Sequence, residues 1–396
     1  MTTRTLHHLT RRLAAALAAA LLVLGLLHGC GGGVGTGGTG DGHAFVSGSI
    51  TGFGSVIVND VRFDDSGAVV EDGDDGRRER GELRLGMTVE IDSSAIQGGF
   101  GSASAAATRI RFDSALVGRV QSVDEAAGSF TVLGQRVTVD ETTVFDGGLR
   151  PATMRPGDLV EVYAVLDSAE QRYRATRVEP ARNVLAYRVR GPVAQFDPVL
   201  QRLRIGSEFY STAGAANLPP NLAPGQFVRL TLRLVPDALG RFVVLSFGTP
   251  LRGIGDLDDV RVKGLVSAFG SVATFEVDGR PVDASAARFV DGSPALGVRV
   301  EVEGAVRGGV LRARTVTVRS DQFERDRGFE LRGPVESVDP GQRTFVLRGL
   351  TIGTARPDLR YEGGSFADLA AGRRVEVRAQ FSLLTFSFEA TRITFE

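Results

Sequence analysis

The residues that could do chemistry in this chain are carboxylates and arginines. Its four histidines are His7, His8, His28 and His43, and Cys30 is its only cysteine. From residue 44 onward there is no His, Cys or Trp. Ser–His and Cys–His nucleophilic sites, and the usual zinc and copper sites, need those side chains. What remains is 47 acidic against 46 basic residues, of which only Lys263 is a lysine. A carboxylate pair of the glycosidase kind stays formally open. No two acids stand out by spacing, so the residue types argue against an enzyme. No catalytic, cofactor-binding or metal-binding residue is assigned, and no cofactor is expected. The densest acidic run, Glu71-Asp72-Gly73-Asp74-Asp75-Gly76, has the hard oxygen donors that Ca²⁺ takes but not the spacing of a calcium loop. It reads as a solvated loop.

Positive charge is concentrated in one place. Residues 183–250 hold seven Arg against Asp197, Glu208 and Asp237, whereas residues 44–114 hold seven Arg against twelve acids. Arg188, Arg190, Arg202 and Arg204 sit at strand alternation, with Tyr187 and Tyr210 nearby. A basic face with aromatics can take an anionic polymer, polysaccharide or single-stranded nucleic acid. Alternation places the four on one face, outside the core. The plainer reading is a solvated face or a contact with a neighbouring unit. Phe53-Gly54-Ser55 and Phe269-Gly270-Ser271 read as bulges with Phe in a core.

The amino terminus is of another kind. Arg4, Arg11 and Arg12 precede an apolar run from Leu13 to Leu27, too short to span a bilayer comfortably and right for a signal-peptide core. Leu27-His28-Gly29-Cys30 resembles a lipobox, with an unusual His28. That resemblance implies removal of residues 1–29 and lipidation of Cys30. Two or more acyl chains are needed for stable retention, and the lipobox pattern implies them. Residues 30–43 are Gly-rich and read as a tether with a reach of roughly 20 Å. Gly31 and Gly32 follow the Cys and no Asp does, from which the same resemblance implies the outer membrane, where the cell has one. Nucleic acid is a disfavoured partner for an exported chain whose mature part, with 43 basic and 47 acidic residues, is net negative.

Whatever the body binds must be positioned by strands. Three landmarks recur in fixed order about every 70 residues. The first is a hairpin with its turn at Asn59-Asp60, Gly134-Gln135, Gly206-Ser207, Asp278-Gly279 and Gly349-Leu350. The second is a Gly before an alternating strand, at Gly86, Gly157, Gly225, Gly297 and Gly372. The third is a strand begun by Ala107, Ala175, Val243, Ala313 and Ala390. Period-two alternation predicts half-buried antiparallel strands throughout. The best helix candidate, Ser365–Ala370, is one or two turns. Units this small control their edges best by closing into barrels. They are too small to be stable alone, so neighbours are expected to pack together or share strands.

ITGFGSVIVNDVRF (Ile50–Phe63) and SFTVLGQRVTVDETTVFDG (Ser129–Gly147), with the signal and tether, resemble bacterial lipoproteins built from a tandemly repeated domain of unknown function. That domain is similar to a small OB-like β-barrel. The resemblance is specific in the first, second and fourth units, looser in the fifth, and weakest in the third. It implies an all-β array of about five antiparallel OB-like barrels: 44–114, 115–182, 183–250 (divergent and basic), 251–320 and 321–396. The expected function is a non-enzymatic envelope lipoprotein, presenting its repeats to a protein or envelope polymer. An anionic-polymer binder using the third unit is the first alternative, and a carboxylate-dependent polysaccharide enzyme the second.

Overall fold

The computed structural model describes residues 43–73, 76–98, 102–248 and 253–396. The expected signal, Cys30 and residues 30–42 of the expected tether lie outside the described residues; His43, expected to end the tether, instead opens the first strand, because it pairs with Ser94.

Alternation gives the strands, and the strands close five times in the same way. In barrel one the strands are His43–Phe53, Val56–Val58, Val61–Asp64, Thr88–Ser94 and Ser104–Phe112. The first pairs antiparallel with the second and the fourth, the second with the third, and the fourth with the fifth. The third runs parallel to the fifth and closes the ring. Barrels two (116–180), three (187–248), four (257–318) and five (329–395) repeat this circuit, including the parallel closure. It is the OB-like order, and the fold is all-β.

Each landmark has a structural job. The second-landmark glycines turn the chain at the mouth of the barrel, all at positive φ, from 76° at Gly297 to 100° at Gly157. Each donates its N–H to the first strand: Gly86 to Ile50 O at 2.9 Å, Gly157 to Val120 O at 2.8 Å, Gly225 to Val193 O at 2.8 Å, Gly297 to Val266 O at 2.9 Å, Gly372 to Val335 O at 2.8 Å. The first landmark is the hairpin of strands two and three. Its turn residues Asn59, Leu133, Gly206, Asp278 and Arg348 all have φ between 48° and 56°. Two turns therefore differ from the sequence expectation by one residue. They are Leu133-Gly134 and Arg348-Gly349, because the pairings Gln135↔Val132 and Leu347↔Leu350 leave those residues, all at positive φ, as the two-residue turns.

A fourth landmark went unnoticed in the sequence. The first strand of every barrel carries a glycine directly beneath that turn: Gly48, Gly118, Gly191, Gly264 and Gly333. A Cβ on Gly48 would lie 2.3 Å from Asn59 Oδ1, on Gly118 2.7 Å from Leu133 Cγ, and on Gly264 2.1 Å from Asp278 Oδ2. The absent side chain makes room for the hairpin in barrels one, two and four; at Gly191 the nearest atoms are Tyr173 Oη at 2.5 Å and Ile205 Cγ2 at 2.8 Å, and at Gly333 the nearest is an ordinary contact at 3.5 Å.

The barrels are fused. A first strand uses one edge of each half within its own barrel and leaves the other edge open, and open edges invite pairing. Barrel one's open edges are filled in parallel by barrel four (Ala44↔Asp259 to Ser47↔Val262) and by barrel five (Gly52↔Glu330, Phe53↔Leu331). Barrels two and three cover each other, antiparallel, at Leu116↔Val189 and Val117↔Arg188. Phe45 points out of barrel one, is fully buried in barrel four's apolar cluster, and lies under Arg280, whose guanidinium carbon is 5.0 Å from the ring centroid. The described residues form one compact unit.

The Phe53 and Phe269 expectations divide. Phe53 packs against the main core, and a Cβ on its neighbour Gly54 would lie 2.7 Å from Arg332 Cβ of barrel five. Phe269 is 40% exposed and so does not sit in a core. The Ser365–Ala370 candidate is a 3-10 turn, Phe366–Asp368, capped by Asp368 against Ser365.

Candidate functional site

The only α-helix among the described residues is α1, Asp321–Arg327, between barrels four and five. Its signals are local. Ser320 Oγ accepts from Phe323 N–H at 3.1 Å, acids open the helix, Arg325 and Arg327 close it, and Gly328 ends it at φ 59°. Seven residues are too few for a stable isolated helix. Polar contacts to four barrels hold it. Asp321 meets Arg174 of barrel two at 2.8 Å, and Glu324 meets Lys263 of barrel four at 2.7 Å. Arg325 meets Glu141 of barrel two at 3.4 Å, and Arg327 pairs with Asp60 of barrel one. Gln380 of barrel five donates to Arg325 O at 2.9 Å.

Beside α1, walled by barrels one, two and five and by Arg299 of barrel four, is a cleft of about 470 Å³. Its base is apolar: Ile50, Phe329 and Phe381 are all buried. Phe381 and Phe329 pack edge-on against Phe388 at 5.2 and 5.5 Å, and Phe386 reaches Phe145 of barrel two at 5.6 Å. The wall is a set of planar polar groups, Arg299, Arg325, Arg327 and Arg356 against Glu141, Glu324 and Asp326, with Gln322 and Gln380 between them. Burial, reinforced by the nearby Arg378, lowers the Arg327 guanidinium to about 10. Glu324 Oε1 and Arg299 Nε are buried without a hydrogen-bond partner. Leu384 stands 93% exposed at the rim. This arrangement can hydrogen-bond a ligand from both donors and acceptors over an apolar base. Among the described residues no group of three or more His, Cys, Asp or Glu is placed to hold a metal ion.

A second, larger cleft of about 870 Å³ lies among barrels one, two and three. Glu161 and Glu179 are direct register partners on adjoining strands of barrel two. Burial raises the Glu161 carboxyl, against the pull of Arg188. Burial likewise pushes the Tyr163 phenol well up. Each acid has its own arginine: Arg188 is 3.5 Å from Glu161, and Arg177 is 2.6 Å from Glu179. The two acids stand side by side on one sheet rather than across a gap. Their chemistry is that of an inter-barrel ion network, which Arg177 extends to Leu85 O of barrel one at 3.2 Å.

The four arginines singled out in the sequence all leave barrel three's own core, since Val189, Leu203 and Ile205 between and beside them point inward. They do not share one surface. Arg188 and Arg190 face other barrels. Arg188 meets Glu161, and Arg190 lines a small cavity with Lys263, Asp278 and Arg280 of barrel four. Arg202 and Arg204 lie on the hairpin, 5.0 and 5.9 Å from the Phe209 ring centroid, and Arg204 also donates to Gly206 O at 2.7 Å. In the acidic run, Asp74 and Asp75 lie outside the described residues. Asp72 is committed to its own loop, accepting from Gly76 N–H at 2.9 Å and from Arg78 at 2.6 Å. The sequence reading missed α1, although its Ser320 cap, charge order and closing Gly328 were legible.

Three stretches match a family described as a domain of unknown function (DUF5666): residues 117–179, 263–317 and 332–394. These fall on barrels two, four and five. Barrel three, the expected outlier, is unmatched; so is barrel one, while barrel five, expected to be looser, matches. No curated protein sequence matches the chain. Among solved structures, the chain is similar to "drosophila Unr CSD456" at 12% identity, over 76% of this chain and 99% of that one, with a TM-score of 0.14. A "multidomain protein with nucleic acid binding domains" from Streptococcus pneumoniae TIGR4 is similar at 16% identity, over 57% and 75%, also with a TM-score of 0.14. At that score neither likeness bears on ligand or overall shape.

Proposed function

We propose that this chain is a non-enzymatic binding protein of the cell envelope. In this reading it is exported behind residues 1–29, anchored through lipid on Cys30, and holds a protein segment or envelope polymer in the cleft beside α1. One observation carries the binding part. The cleft exists only because several barrels are fused around α1, and it sets paired donors and acceptors over an apolar base. The lipobox-like Leu27–Cys30 and the Gly-rich tether support the anchored, envelope part, with Gly31 and Gly32 favouring the outer membrane. The test is recovery of a partner from envelope extract by the mature chain, beside a variant carrying Arg356→Ala and Leu384→Asp at the cleft rim. The reading expects a partner that wild type retains and the variant loses. Equal recovery by both would remove the cleft from the proposal.

A second reading, an anionic polymer on barrel three, is favoured by Arg202 and Arg204 at the hairpin. Both guanidiniums already lie over Phe209. The hairpin therefore offers charge more readily than a bare ring for stacking.

A further inference from the structure

Barrel three carries a long loop at one end. The loop between its last two strands is nine residues, 233–241, the same length as in barrel one (95–103), whereas barrels two, four and five use four (168–171), two (308–309) and four (383–386). The longer loop is built. Asp237 accepts from Leu239 N–H, Arg241 N–H and Arg241 Nε, each at 2.9 Å, and backbone bonds join Asp237 to Arg241 and Gly240. Those hydrogen bonds hold its carboxyl below the usual range. The polar groups thus face into the loop and the aliphatic ones face out: Leu234 is 40%, Val235 67% and Leu239 76% exposed. Leu185, 92% exposed, joins them, because the Tyr187↔Leu232 pairing brings residues 183–186 and 233–241 out of the barrel at the same end. Aliphatics displayed from an ordered loop mark an interaction surface.

We infer that this end of barrel three seats the body on an anionic lipid surface. The occupant follows from charge and shape. Barrel three is the basic part of a chain whose mature part is net negative. Arg182 and Arg233 flank the four aliphatics, both exposed and neither in an ion pair among the described residues, though Arg233 Nε donates to Val235 O at 3.1 Å; their charge suits acidic headgroups. Leu234, Val235 and Leu239 are short and aliphatic and stand on a projecting loop, with Leu185 and Arg182 beside them at the edge of the larger cleft, the form of a shallow insertion into the headgroup boundary. The inference deepens the envelope reading, and its physical basis does not need the lipid on Cys30. An anchor there would only raise the local concentration of lipid.

The test removes the anchor. The mature chain carrying Cys30→Ser is co-sedimented with vesicles of phosphatidylglycerol or of phosphatidylcholine. The expected result is binding to phosphatidylglycerol that weakens with salt. The triple change Leu234→Ser, Val235→Ser, Leu239→Ser should lower partitioning by about tenfold, with an unchanged circular dichroism spectrum and unfolding midpoint. Changing Arg182 and Arg233 to Gln should flatten the salt dependence. Absence of vesicle binding by the parent, or equal binding by parent and triple variant, overturns the inference. So does a dimer that the triple variant disperses, which would assign the patch to a second copy. Acyl labelling of Cys30 is measured separately, so failure of the vesicle result and failure of the anchor are distinguishable.

Discussion

Asn59 and Asp278 occupy the same place in barrels one and four, and only Asn59 can satisfy it. Each opens the hairpin turn, at φ 49° and 48°, and each lies on the first-strand glycine beneath it, Gly48 or Gly264. Asn59 Nδ2 donates to Ser47 O at 2.8 Å. A carboxylate has no hydrogen to give, and Asp278 Oδ1 has no partner. Burial lifts the Asp278 carboxyl from 3.8 to about 6, against Arg190, Arg299 and Arg280. Once protonated, Asp278 becomes a donor like Asn59.

The stability consequence has a definite sign. Folded Asp278 holds its proton up to about pH 6, and the unfolded chain only to 3.8. Acidification through that window therefore favours the fold, and the benefit is gone above pH 6. Asp278→Asn should stabilise the protein at pH 7–8 by about 2 kcal/mol, with the difference closing near pH 4. Urea unfolding at several pH values measures it. The other charged groups lining the cavity are Glu90, Arg111, Asp113, Arg190, Lys263 and Arg280. If the variant is less stable than wild type at pH 8, attraction to these cations outweighs burial and the account fails.

Gly48→Ala and Gly264→Ala should each cost about 2–4 kcal/mol, since the new Cβ meets a turn residue at 2.3 or 2.1 Å. Gly333→Ala is the control. There the nearest atom is Leu347 Cδ1 at 3.5 Å, an ordinary contact, and the change should cost under about 1 kcal/mol. Denaturant midpoints for the three variants test the order; equal losses would refute it.

Asp321→Asn should loosen α1 without unfolding the barrels. Burial opposes ionisation of Asp321, but Arg174 and Arg299 hold its carboxyl below the usual range. Hydrogen exchange should accelerate over residues 320–328, with little change in the barrel strands. Uniform exchange across the molecule would show that the ion pairs do not fix the helix.

The two arginine pairs of barrel three should separate. Arg188→Gln with Arg190→Gln removes charges packed against other barrels and should lower the unfolding midpoint. Arg202→Gln with Arg204→Gln should leave the midpoint nearly unchanged. If the hairpin holds an anionic polymer, the second pair should also lower retention on heparin and its salt slope. Equal, salt-insensitive retention of wild type and variant dismisses that polymer reading.

Cys30→Ser should abolish palmitate labelling of the protein in cells. Label that persists on this variant would disprove the anchor.

The repeat, the strand pattern and the barrel closure were legible in the sequence because they are local. Alternation at Arg136–Asp140 and the turn glycines Gly86 to Gly372 state their own geometry. The glycines at 48, 118, 191, 264 and 333 were equally present, but their purpose depends on a hairpin side chain some 11 to 15 residues on. A hairpin with Leu133 or Arg348 at positive φ does not look like a turn, which is why two turns were displaced by one residue. The cleft beside α1 was not legible at all. It joins Ile50 to Phe381, and no periodicity reports a pairing such as Ala44↔Asp259.

That pairing bears on how such a chain can evolve. In an open array each repeat touches only its neighbours, so copies can be gained or lost at little cost. Here barrel one's first strand lies against barrels four and five, and deleting or duplicating any unit between them would carry those strands out of reach. The fold thus ties barrels one, four and five together, and a change in copy number between them would require new strand partners for barrel one's first strand.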